Sequence, residues 1–111
     1  MSFEFLETDL YKAAKSYNKT VKQIIKDTKT DRILADQLKR AALSVLLNFS
    51  EGYGRFHKAE KRHMYVTARA SVNECVACLD VLYDDGIPDN LLEQSETIAK
   101  MLSGLINKFK D

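Results

Sequence analysis

Cys75 and Cys78 form the motif C-V-A-C, whose spacing occurs in redox-active dithiols and in zinc sites. A redox pair normally lies at a helix N-terminus, where the thiolate is stabilised, but these two residues fall in the middle of a predicted helix. A zinc site needs two further ligands, and His57 and His63 do not supply them at a recognised spacing. We therefore predict that both cysteines are buried structural thiols and that the chain holds no metal.

The segment SEGYGRFHKAEKRH, residues 50–63, combines two glycines with four Lys and Arg residues and two histidines. A phosphate-binding loop requires glycines before a helix N-terminus, in a strand–loop–helix unit, so that backbone N–H groups point at the anion. Here the glycines follow a helical pattern, and no strand pattern precedes them. We interpret Gly52 and Gly54 as the end of a helix, where glycine tolerates the left-handed conformation.

The remaining candidates for catalysis are the carboxylates Glu51 and Glu74. Each lies among hydroxyl, amide or basic side chains, as expected of a buried polar network that fixes helix register. No nucleophile, base and acid occur together, and DDGIPDN, residues 84–90, does not have the ligand spacing of a calcium loop. We predict that the protein is not an enzyme and needs no cofactor.

These residues are positioned by four predicted helices, which make the chain an all-α, antiparallel up-down four-helix bundle forming one domain over residues 1–111. Leu10, Ala14 and Tyr17 begin an apolar seam at helical period in the first helix, roughly residues 5–28. Thr30 or Asp31 can cap a second helix that ends at Gly52–Gly54. The third spans about residues 58–84, and Pro88 suits the first turn of a fourth that reaches about Phe109.

The second helix is apolar on both sides of a narrow polar stripe. Leu38, Val45 and Phe49 lie on one side, and Leu43 and Leu47 lie on the other. A helix that is apolar over more than half its circumference is buried on two sides. One burial surface is the bundle, and we expect a second copy of the chain to supply the other.

Basic residues are concentrated in one part of the chain, although the net charge is only +1. Residues 12–69 contain fourteen Lys and Arg against five Asp and Glu, whereas residues 70–111 contain three against eight. Such asymmetry is typical of a basic face on an otherwise neutral molecule.

The most regular basic feature is a row of six lysines at steps of three and four on the solvent face of the first helix. A second group of basic residues follows the second helix. Periodic basic side chains suit a phosphate backbone, although an ordinary solvated surface would also contain lysines. The lysine row consists of Lys12, Lys15, Lys19, Lys22, Lys26 and Lys29, and the turn cluster consists of Arg55, Lys58, Lys61 and Arg62.

The segments QLKRAALSVLLNFSEGYGR, residues 37–55, and YVTARASVNE, residues 65–74, resemble a bacterial family of four-helix bundle proteins encoded in intervening sequences of large-subunit ribosomal RNA genes. This family is related to the accessory variability protein of diversity-generating retroelements. Leu46 replaces a frequent proline and Ala70 a frequent glycine, and a helix tolerates both. The resemblance implies a ring of five protomers. For retroelement members it also implies binding to a reverse transcriptase and to nucleic acid.

The match to the family is specific at several polar residues, which we assign to a structural network between the second and third helices. This polar set consists of Arg40, Ser44, Asn48, Glu51, Ser71 and Glu74.

Two functions of different classes are therefore predicted. The first is a non-catalytic, oligomeric nucleic-acid-binding protein that binds RNA or DNA and is a candidate accessory to a reverse transcriptase. The alternative is a protein-interaction scaffold whose lysine row only keeps the ring soluble. No signal peptide or bilayer-length apolar segment is visible, so we expect a cytoplasmic protein without a membrane partner.

Overall fold

A computed structural model describes residues 3–110 and shows four α-helices and no strand within that range. The helices are α1 (Asp9–Asp27), α2 (Arg32–Tyr53), α3 (Lys58–Leu82) and α4 (Asp89–Lys108). A short 3-10 helix, Glu4–Glu7, precedes α1. The predicted all-α class and the four helices are confirmed. In the part of the chain that is described, no helix is long and apolar enough to cross a membrane.

Side chains and backbone carbonyls at the helix starts fix where the elements begin. The Thr8 hydroxyl accepts a hydrogen bond from the Tyr11 amide (3.1 Å) and donates one to the Phe5 carbonyl (2.7 Å). Because Thr8 caps α1, the helix begins at Asp9, several residues later than predicted. Of the two candidate caps for α2, Asp31 is the one used.

The start of α4 also differs slightly from the prediction. Pro88 occupies the N-cap position, with extended backbone angles, rather than the first turn. Its carbonyl accepts hydrogen bonds from the amides of Leu91 (3.1 Å) and Leu92 (3.0 Å). The chain turns from α3 into this cap at Gly86, whose φ of 108° favours glycine.

The contacts between helices define an antiparallel arrangement. Ser44 meets Ser71 across the α2–α3 pair, while Gly52, later in α2, meets Tyr65, earlier in α3. Tyr65 also contacts Phe109, immediately after the end of α4, with ring centroids 5.9 Å apart. Helices that follow one another in the chain pack together, and α1 closes the bundle against α4.

Gly52 does not terminate α2 as predicted, and it has a different role. It lies within α2, and Gly54, the C-cap, has a φ of −83°, so neither glycine is left-handed. A Cβ atom on Gly52 would lie 2.8 Å from Tyr65 Cε1 and 2.9 Å from Met64 Cβ. Glycine at this position therefore permits the close approach of α2 and α3.

Two polar contacts join helices inside the apolar core. The Tyr17 hydroxyl and Ser95 Oγ are 2.8 Å apart, and Asn18 Nδ2 donates to the Ala42 carbonyl at 2.8 Å. Both contacts are buried, where a missing partner would be costly. They therefore fix how α1 sits against α4 and α2.

The two cysteines are free and buried, as predicted for structural thiols. Burial raises the pKa of Cys75 to about 12, so its thiol is protonated at neutral pH. Burial also raises the pKa of Cys78. Within residues 3–110 no group of three or more His, Cys, Asp or Glu side chains is arranged to hold a metal ion.

Replacing Gly52 with Ala should destabilise the protein by about 1–3 kcal/mol, because the added methyl group overpacks the α2–α3 contact. Gly104 is the matched control. It is also helical, but nothing lies within 4 Å of its added Cβ, so Gly104→Ala should stabilise α4 by about 0.5–1 kcal/mol. Urea denaturation measures both, and equal effects of the two substitutions would contradict this account of Gly52.

Candidate nucleic-acid interface

Every member of the lysine row is exposed, as the helical spacing predicts. Five of the six lie on α1, and Lys29 lies beyond Asp27, the last residue of the helix. From Lys12 to Lys26 the row extends about 21 Å along the helix axis at 1.5 Å per residue. The opposite face of α1 carries Leu10, Ala14 and Val21 in the core, which holds the lysines toward solvent.

The lysine row is nearly free of ion pairs. Lys12 Nζ lies 3.8 Å from Glu7 Oε2, and both side chains are well exposed, so this pair contributes little to stability. Within residues 3–110, the other five lysines form no ion pair. Their charge is therefore available to an external polyanion.

In the turn cluster, Arg55 is already engaged by two carboxylates. It forms ion pairs with Glu51, one turn earlier on α2, and with Glu60 at 3.4 Å on α3. The hydrogen bond from Arg55 to Glu51 raises the pKa of the guanidinium. These contacts partly neutralise the positive charge that the sequence places in the turn.

Lys61 has a structural role in the same cluster. Its Nζ donates hydrogen bonds to the carbonyls of Tyr53 (2.7 Å) and Gly52 (3.2 Å), which are at the end of α2. It also lies 5.6 Å from the ring centroid of Tyr53 and 5.7 Å from that of Phe109. Burial lowers the pKa of Lys61. Lys61 thus ties the start of α3 to the end of α2.

The turn between α2 and α3 exposes an aromatic side chain that the sequence analysis did not select. Phe56 is 96% exposed and lies between Arg55 and His57. Lys58 is exposed nearby, and Arg62 is half-buried. The sequence did contain a signal for the exposure of Phe56, because this aromatic residue directly follows Gly54 and Arg55 and lies outside any helical pattern. Nucleic-acid-binding surfaces combine such rings with basic residues, because bases stack on them.

The polar set divides into a hydrogen-bonded centre and an outer part. Ser44 Oγ and Ser71 Oγ are 2.8 Å apart, and Asn48 Nδ2 donates to Ser44 Oγ and to the Ser44 carbonyl, both at 2.8 Å. These three residues join α2 to α3. Arg40 and Glu74 are exposed, and within residues 3–110 no hydrogen bond or ion pair links either to the others. Glu51 pairs with Arg55 instead.

Beside this polar centre, α2 and α3 expose apolar side chains. On α2, Leu43 is 45% exposed and Leu47 is 55% exposed, whereas Val45 and Phe49 on the other side are buried. On α3, Val66 and Val81 are also exposed. In the single chain, α2 therefore leaves two leucines uncovered, and α3 exposes two valines among polar residues such as Asn73 and Glu74.

The fold and the surface define the class of this protein as an all-α four-helix bundle with a basic helix and exposed apolar side chains. The family model for the 23S rRNA-intervening sequence protein matches residues 7–104. The chain therefore belongs to that family, as the resemblance at residues 37–55 and 65–74 predicted. A comparison with curated proteins found no match.

Replacing Lys61 with Met should lower the free energy of unfolding by about 1 kcal/mol, because the two carbonyls at the end of α2 lose their donor. Lys58→Met is the matched control. It removes the same charge from an exposed side chain that forms no hydrogen bond within residues 3–110, and should change stability by less than about 0.5 kcal/mol. Thermal or urea unfolding at fixed salt compares the variants. A Lys58→Met effect as large as that of Lys61→Met would count against the capping role.

Proposed function

We propose that this protein is a non-catalytic, oligomeric nucleic-acid-binding protein with RNA as its principal ligand. The observation that carries the proposal is the exposed lysine row on α1, in which five of the six side chains form no ion pair within residues 3–110. Consecutive phosphates present closely spaced negative charges, and a row of lysines about 21 Å long on α1 can neutralise several of them. The family description, which refers to the 23S rRNA intervening sequence, is compatible with an RNA-associated role.

The distribution of charge between the helices supports an oriented interaction. Lys and Arg dominate residues 12–69, and Asp and Glu dominate residues 70–111. A polyanion is attracted by the α1 side and repelled by acidic residues of α4 such as Glu93 and Glu96, both exposed. The exposed ring of Phe56 adds a stacking surface for an unpaired base.

The proposal includes self-association of the chain, most simply as the ring of five that the family resemblance implies. Its physical basis is a set of exposed apolar side chains, which are Leu43 and Leu47 on α2 and Val66 and Val81 on α3. Contact with a second copy would remove these side chains from water, which is favourable at about 25 cal/mol per Å². A ring would also repeat the lysine row around its circumference and multiply the phosphate contacts.

The resemblance to the retroelement accessory protein extends the proposal to a reverse transcriptase as a candidate protein partner. In that arrangement the bundle would hold the nucleic acid while the partner performs the chemistry.

The alternative function is a protein-interaction scaffold without a nucleic-acid ligand. The observation that favours it is the same set of exposed apolar side chains on α2 and α3, which could receive another protein, combined with the neutralisation of Arg55 by Glu51 and Glu60. In this case the lysine row would contribute only to solubility.

Reversing Lys15, Lys19 and Lys22 to Glu should weaken RNA binding regardless of sequence and flatten its salt dependence. The reason is that each phosphate contact releases counterion, so the logarithm of affinity falls with the logarithm of salt by about 0.7–0.9 per contact. Fluorescence anisotropy with structured RNA and duplex DNA at several salt concentrations measures both quantities. The exposed positions on α1 should leave folding unchanged.

The control reverses Lys100, Lys108 and Lys110, which changes the net charge equally but lies on or after α4. If this variant loses as much affinity as the first, the binding follows net charge rather than the lysine row. Absence of binding at low salt would favour the scaffold. Substitution of Lys58 and Arg62 by Gln tests whether the turn cluster belongs to the same surface.

Replacing Leu47 with Glu should disrupt the oligomer, because a carboxylate would be buried without a partner at the apolar face. Light scattering on the purified protein should give five times the 12.7 kDa chain mass for the natural sequence and a smaller mass for the variant. Leu6→Glu, at an exposed leucine outside α2 and α3, is the control and should keep the full mass. A monomer mass for the natural sequence at micromolar concentration would contradict self-association.

A further inference from the structure

One end of the bundle contains a cavity of about 590 Å³ to which all four helices contribute. It lies where the starts of α1 and α3 meet the ends of α2 and α4. Its volume falls within the range of about 300–1,000 Å³ that is typical of small-molecule sites. It is separate from the lysine row, because α1 and its N-cap contribute only Thr8, Asp9 and Leu10 to the lining.

The walls of the cavity are predominantly apolar. Phe49 and Tyr65 stack with ring centroids 6.0 Å apart, and Met101 and Leu105 of α4 are only partly buried and line the cavity with them. Large apolar side chains that line a cavity favour a ligand that covers them, since this removes apolar area from water. The cavity therefore suits a hydrocarbon chain.

Positive charge is placed at one part of this apolar lining. Lys61 and Lys108 both line the cavity, and each has its Nζ between 5.5 and 5.7 Å from the ring centroid of Phe109. Both ammonium groups therefore lie beside the same aromatic ring. Two of the three Lys61 N–H groups donate to the carbonyls of Gly52 and Tyr53, which leaves one for a ligand.

The Tyr65 hydroxyl provides an independent polar observation. Tyr65 is only 2% exposed, yet its hydroxyl forms no hydrogen bond within residues 3–110. The Tyr65 hydroxyl oxygen keeps some contact with solvent. Within residues 3–110, Gln94 Oε1 is the only fully buried side-chain nitrogen or oxygen atom that lacks a hydrogen-bond partner, so the unpaired hydroxyl of Tyr65 is not fully buried. A buried tyrosine usually satisfies its hydroxyl, so this group is a donor available to a ligand in the cavity.

We propose that this cavity binds a hydrophobic monocarboxylate, such as a medium-chain fatty acid. The hydrocarbon chain would pack against the partly buried side chains of Met101 and Leu105, and the carboxylate would accept hydrogen bonds from the ammonium groups of Lys61 and Lys108 and from the Tyr65 hydroxyl. The cavity lining contains two lysines and one carboxylate, that of Asp9, and therefore has a net charge of one positive unit. The single negative charge of the ligand would neutralise it. Charge-assisted hydrogen bonds of this kind are the stronger ones in proteins.

Isothermal titration with decanoate, decan-1-ol and decylammonium as probes tests the proposal on the complete protein. Decanoate should bind at one site per chain, with an affinity about tenfold higher than that of decanol, because only the carboxylate engages the lysines. Decylammonium should bind more weakly than decanol, since it meets like charges. Absence of decanoate binding at about 1 mM, or equal affinity for decanoate and decanol, would overturn the proposal.

Variants locate the site. Lys108→Gln should lower decanoate affinity about tenfold and leave decanol affinity unchanged, and Tyr65→Phe should have a smaller effect in the same direction. Lys100→Gln, an exposed lysine of α4 outside the cavity lining, is the matched control and should bind decanoate normally. Decanoate binding that is unaffected by both Lys108→Gln and Tyr65→Phe would place the ligand elsewhere and overturn the proposal. The variant with Lys15, Lys19 and Lys22 reversed should retain decanoate binding, so this outcome is independent of nucleic-acid binding.

Discussion

The close approach of α2 and α3 at Gly52 is the constraint on which the rest of the structure depends. Only the absence of a side chain allows the ring of Tyr65 and the Cβ of Met64 to reach the α2 backbone. Lys61 reinforces the same junction through the terminal carbonyls of α2. From this contact the helix pair continues through the hydrogen-bonded centre of Ser44, Asn48 and Ser71, which fixes the register of α3 against α2. Both helices also expose apolar side chains, among them Leu43, Leu47 and Val66, and these are the basis for the proposed self-association.

Around that pair the molecule separates positive from negative charge. The first helix packs its apolar seam into the core and carries the lysine row on its free face, while acidic residues are concentrated on α4 and in the turn before it. Because the molecule is nearly neutral overall, long-range attraction of a polyanion depends on this local separation rather than on net charge. The turn between α2 and α3 behaves differently: Arg55 is held by two carboxylates and Lys61 by two carbonyls. The basic residues of α1 therefore carry most of the proposed interaction.

The cavity at the end of the bundle follows from the way four helices terminate there. The core-facing residues of α2 and α3 fill the centre of the bundle, but the end is lined by aromatic rings and by the side chains of α4, which do not close it. Lys61 and Lys108 lie beside the ring of Phe109 with their charges at the cavity. A site at the bundle end and a basic surface along α1 can operate independently, because they share no residue.

The sequence by itself determined the class of fold, the number of helices and most of their bounds, because apolar residues at a period of 3.6 and glycine or proline between the segments are local signals. It also determined that the lysine row is exposed, since the seam opposite must be buried, and it identified the family through the polar residues of α2 and α3. Only the tertiary structure showed why a glycine is needed at position 52, which carboxylates pair with Arg55, and that Lys61 caps the end of α2. Each of these depends on atoms of another helix, and no pattern within one segment records such distances. The same holds for Tyr65, whose hydroxyl could be assigned to a cavity only after the ends of four helices had been brought together.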